Sequence, residues 1–260
     1  MHPIDPLCGG KLKIERANAH IREVSALIDS YLAPDPYERF IEVDAVNGVK
    51  RIKIRSTEQP PAEISVISGE VLYLLRSALD HLVTSVATRR RVVVIERTGF
   101  PIERTRQKFE TTLAQRKIEQ RLPELASALR TLEPYEGGKG ELLWWLHWLN
   151  GMEKHQIVVT LAGANVAFEL KGQLNFLPGF DRTRDLVYQA PKRWQRLDED
   201  ATFLVHPITT EFQGEMGLDM NVVFGDIERP EPYTVTDTLQ HMSDFTRDIV
   251  SAFERLFFAP

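Results

Sequence analysis

Cysteine is nearly absent from this sequence. Cys8 stands alone, so no internal disulfide can form, and a reducing cytoplasm is the expected setting. No apolar run approaches the roughly 20 residues that a membrane helix needs. The longest, "LLWWLHWLNGM", is interrupted by His147 and Asn150, which predicts no membrane association. The start, "MHPIDPLCGGKLK", has no charged segment leading into an apolar one, so no export signal is expected. Several catalytic signatures are missing as well: G-x-S-x-G, the P-loop, G-x-G-x-x-G and H-E-x-x-H. The glycines of "CGGK" and "GGKG" lack the spacing of a phosphate cradle. Nor is there excess positive charge: the net is −5, so the chain as a whole is not built to cling to phosphate.

What charge there is, however, is unevenly spread. Between Arg89 and Arg121 stand ten Lys or Arg residues against four Glu, a local +6 that leaves −11 for the remainder. Such a segment can be a footprint for RNA, or simply a set of solvated helix faces.

Periodicity gives the elements. Ala17, Ile21, Val24, Ile28 and Tyr31 make one stripe of a helix over 10–33, which "APDPY" stops. Two alternating runs near 39–55 flank Asn47-Gly48, a dipeptide suited to a tight hairpin turn with positive φ at both residues. A long helix is expected over 64–88, a short strand at "VVVI", helices over 102–116 and 118–131, and another over 140–161. Beyond Gly163 the runs "NVAFEL", "GQLNFL", "TFLVHPITTEF" and "MNVVF" are β-branched and aromatic, which predicts an antiparallel sheet. A closing helix is expected over 236–258, capped by Thr236 or Asp237. The order is neither βαβ nor repetitive. It predicts a single α+β domain over 1–260, mainly helical over 1–163, mainly β over 164–235, then the closing helix.

Within the long helix, "LLRSALDHL" places Leu75, Ala78, Leu79, Leu82 and Val86 on the buried face. Arg76 and Asp80 stand four apart on one flank, in reach of an ion pair. His81 lies on the other flank with Glu70 and Ser77, about 140° around the helix from Arg76. Downstream, His147, Asn150 and Lys154 share a helix face, and His155 points away from it. His20 sits inside the first helix's apolar stripe, where a histidine is normally a hydrogen-bonded core residue. If the helices pair, His20, His81, Asn150 and His155 are candidates to converge.

Arg76, four intervening residues and His81 resemble the R-x4–6-H motif of the HEPN superfamily. That resemblance implies a helical bundle that pairs as a homodimer and cuts RNA without a metal or other cofactor. His81 would act as general acid/base, Arg76 would stabilise phosphate charge and Asp80 would orient Arg76. Asn150, Lys154, His155, His20 and Glu70 form a secondary polar set. The longer strings "VISGEVLYLLRSALDHLV" and "LLWWLHWLNGMEKHQIV" are also similar to a family of bacterial proteins of uncharacterised function, sharing an L-R-S-A-L-D-H core and a later N-x-x-x-K-H element. That second resemblance implies common ancestry and carries no activity.

Three readings follow. In the first, the protein is a non-catalytic binding or regulatory module with a HEPN-like core, its polar residues specifying helix packing or an interface. The second is the metal-independent ribonuclease. The third is a metal-binding bundle, with imidazoles and Glu70, Asp80 or Glu153 as ligands; against it, neighbours in "EKH" stand too far apart around a helix to share one ion. His206 and His241 have no partner in sequence and are expected to be structural.

Overall fold

The computed structural model describes residues 5–92, 99–153, 160–167, 187–188, 195–197, 200–209, 217–225 and 234–259. In chain order these contain α1 (Cys8–Leu32), β1 (Tyr37–Asp44), β2 (Val49–Ser56), α2 (Ala62–Arg89), α3 (Arg106–Gln115), α4 (Ile118–Arg121), α5 (Pro123–Leu132) and α6 (Glu141–Glu153). There follow β3 (Thr160–Ala167), β4 (Val187–Tyr188), β5 (Gln195–Arg196), β6 (Ala201–Pro207), β7 (Gly217–Phe224) and α7 (Val235–Phe257). This is an α+β fold. Its contacts divide it into two compact units. One takes Met1–Val24, Ser65–Val158 and Thr236–Pro260; the other takes Ser25–Ile64 and Val159–Val235.

The first unit is helical. Ala17, Ile21 and Val24 of α1 are buried in it, as are Leu75, Ala78, Leu79, Leu82 and Val86 of α2. Phe109 and Leu113 of α3, Leu125 and Leu129 of α5, and Leu143, Leu146 and Leu149 of α6 join this core. So do Leu239, Met242, Ile249, Val250 and Phe253 of α7, spaced to form one apolar face. Local chemistry sets the helix ends. The Thr105 hydroxyl accepts from the Lys108 amide at 3.2 Å to start α3, and Pro123 opens α5, where a missing N–H costs nothing. Helix α7 starts at Val235, so Thr236 lies inside the first turn instead of capping it; Asp237 there complements the helix dipole.

The second unit is β. A four-stranded sheet has the order β1-β2-β6-β4 and a three-stranded one the order β5-β3-β7, with every pair antiparallel. Tyr37, Ile54 and Phe203 from the first sheet pack with Ala162 and Leu197 from the second. The opposite face of the hairpin is charged: Glu38 pairs with Arg55, and Glu42 with Arg51 and Lys53.

Three further sequence expectations need correction. The hairpin turn is not a two-residue Asn-Gly turn. Asp44 and Val49 still pair, leaving four residues between them, and only Gly48 has positive φ (66°). Asn47 instead donates from its backbone and side chain to the Asp44 carboxylate at 3.0 and 2.8 Å. With Arg51, these bonds hold that carboxyl down at a pKa of about 2. Second, the helix expected to run to residue 161 does not do so: Thr160 already opens β3, whose eight residues pair with β7. Third, helices α3 and α5 are shorter than expected, the stretch before Arg106 and the residues around Leu122 being non-helical. The expected strands at "VVVI" and "GQLNFL" lie outside the described residues, apart from Val92.

Candidate functional site

Helices α1 and α2 run antiparallel through the first unit, as two pairs of neighbours show. A Cβ on Gly9 would lie 3.4 Å from His81 Nδ1, while His20 Nε2 lies 3.4 Å from Glu70 Oε2. Eleven residues separate the members of each helix, about 16 Å along the axis. His81 and Glu70 therefore share one face of α2, at different heights.

At the lower height, α1, α2 and α6 enclose a groove of about 460 Å³ lined by Arg16, His20, Gly69, Glu70, Tyr73, Leu74 and Asn150. His20 is buried and held from both sides: Nδ1 lies 3.1 Å from Glu23 Oε2, and Nε2 faces Glu70. A neutral imidazole has one N–H and can donate to only one of these carboxylates; a protonated ring donates to both. Asn150 comes from α6 and is 4% exposed. Three members of the secondary polar set, His20, Glu70 and Asn150, thus meet in one place. Lys154 and His155 lie outside the described residues. Arg16 and Tyr73 were not singled out by sequence, although Arg16 precedes His20 by four residues and Tyr73 follows Glu70 by three, the spacing of one helix face.

The Arg76 flank does different work. Its guanidinium pairs with the Asp80 carboxylate and donates to the Phe100 carbonyl at 2.8 Å, while Asp80 Oδ1 accepts from the Phe100 amide at 2.7 Å. Arg116 donates to the neighbouring Gly99 carbonyl at 2.6 Å. The two side chains of α2 therefore grip the backbone that re-enters before Phe100, whose ring is buried beside Phe253 at 6.4 Å. Burial pulls the Arg76 guanidinium below its ordinary range; Asp80 opposes that pull and Arg116 adds to it. With a side chain only 12% exposed, Arg76 offers little to an outside ligand. His81 is exposed on the other flank, about 140° around the helix from Arg76.

The basic segment is partly neutralised from outside itself. Glu124 pairs with Arg90 and Glu136 with Arg104. Two of its own acids, Glu110 and Glu119, are taken by Arg130. Arg89, Arg91, Arg106, Lys108, Lys117 and Arg121 are exposed and make no ion pair among the described residues. Among the described residues, no group of three or more His, Cys, Asp or Glu side chains is arranged to hold a metal ion, and no helix is long and apolar enough to cross a membrane.

Compared with known proteins, the chain matches no family model, no curated protein and no solved structure.

Proposed function

We propose that the protein is a non-catalytic binding or regulatory module built on a HEPN-like core. The observation that carries this reading is the commitment of Arg76: its donors go to Asp80 and the Phe100 carbonyl. An arginine that stabilises phosphorane charge has to present those donors to substrate. The binding element of the module is the groove of Arg16, His20, Glu70, Tyr73 and Asn150, which gathers charged, aromatic and amide groups on three helices.

The second reading is the metal-independent ribonuclease, favoured by the exposure of His81 and by the unpaired cations of the 89–121 segment, which suit an RNA backbone. There a homodimer partner would have to supply the phosphate-stabilising charge. Incubating RNA in EDTA with wild type, Arg76→Ala and His81→Ala separates the two. The module reading expects no cleavage by any of them, with Arg76→Ala melting lower and His81→Ala unchanged. Cleavage by wild type that is lost in a folded His81→Ala protein overturns it.

A further inference from the structure

We propose that the α1–α2–α6 groove binds a small aromatic carboxylate bearing a hydrogen-bonding substituent on its ring. This inference rests on the binding-module reading and names its ligand class. Its volume of about 460 Å³ falls within the usual range for small-molecule sites.

Three wall groups have capacity to spare. The Asn150 side chain, buried to within 4% of full enclosure, makes no hydrogen bond among the described residues. Its amide lines the groove and offers two donors and an acceptor to an occupant. Arg16 is the one guanidinium in the wall, is exposed, and has no ion-pair partner among the described residues. Its planar fork suits a carboxylate. Tyr73 is 57% exposed, and with Leu74 it presents an aromatic and apolar surface for a flat ring. His20 is different: both its nitrogens already face Glu23 and Glu70, so it braces the wall.

Charge selects the anion. Glu70 is in the wall and Glu23 stands behind His20, so one free arginine is set against two carboxylates. A phosphate dianion would meet about twice the repulsion from these carboxylates that a monoanion meets, and pairing with Arg16 alone neutralises only the monoanion. A bare amine would be drawn to Glu70 but would leave Arg16 unmatched.

Calorimetric titration of the full chain with para-hydroxybenzoate, benzoate and adenosine monophosphate tests this. Para-hydroxybenzoate is expected to bind, and Arg16→Gln, a surface change, to weaken it about tenfold or more. Benzoate is expected to bind less tightly than para-hydroxybenzoate to wild type, and with equal strength to Asn150→Ser. Should Asn150→Ser fail to fold, the exposed Tyr73→Ala takes its place, with an expected loss of about fivefold. Absence of binding by both benzoates at about 10 mM, unchanged affinity in Arg16→Gln, or tighter binding of the nucleotide overturns the proposal. A silent groove without RNA cleavage removes this inference alone. Cleavage that depends on His81 removes the module reading whatever the groove binds.

Discussion

At Arg76 a single side chain carries a helix charge and a loop backbone at once. Removing it leaves the Phe100 carbonyl without its donor and Asp80 without its counterion. Arg76→Ala is expected to cost about 2 kcal/mol in urea denaturation, and Asp80→Ala about the same, because each abolishes the same grip. The double substitution should then cost little more than either alone. Additive losses would mean that the two residues act separately. A strained residue gives the opposite sign. Lys117 has φ 54° between α3 and α4, a left-handed conformation in which its Cβ is crowded and glycine is not. Lys117→Gly is expected to stabilise the protein by about 0.5 kcal/mol, read as a small rise in melting temperature.

Two glycines of neighbouring elements separate necessity from accident. In the turn between α5 and α6, a Cβ on Gly140 would sit 2.5 Å from the Leu132 carbonyl oxygen, with only backbone to give way. Gly140→Ala is expected to cost about 2 kcal/mol or more. Within α6, a Cβ on Gly151 meets no atom within 4 Å, so Gly151→Ala should stabilise by about 0.5–1 kcal/mol. Thermal melts of both variants check the contrast; equal effects would mean that the turn can relax. Elements of this kind were unevenly legible in the sequence. Helix α2 was legible because its buried residues repeat on one stripe for 28 residues. The end of α6 was not: an apolar, β-branched run reads as helix or strand alike, and what decides is β7, far along the chain. The described parts of β4 and β5, two residues each, are too short to show a period. The Arg76–Asp80 pair was legible from its spacing, but its purpose was not, since Phe100 is 20 residues beyond Asp80. In the groove, Arg16 and Tyr73 were passed over because an isolated polar or aromatic residue on an exposed helix face looks like ordinary surface until α6 brings Asn150 beside it.

The molecule's acid response should have a component from His206 in β6. Burial lowers the basicity of its imidazole, Lys50 on the adjacent strand lowers it further, and the bond to the Pro207 carbonyl only partly opposes them. The unfolded chain therefore takes up this proton first as pH falls below about 6.5. The corresponding stability is present above that pH and is lost progressively on acidification. Urea midpoints at about pH 7.5 and about pH 5.5 should differ by less in His206→Gln than in wild type. An undiminished difference would assign the acid sensitivity to other groups.

Neither compact unit is continuous along the chain. Residues before Val24 share a unit with α7, and the sheet unit is assembled from two segments that α2 through α6 separate. A ribosome delivers the chain in order, at about 5–20 residues per second. The helical unit therefore has to wait, with Leu75, Leu79 and Leu82 already synthesised, until α7 has emerged to complete it. Nascent chains halted before α7 should be far more readily digested by protease, and more often held by chaperones, than the finished protein.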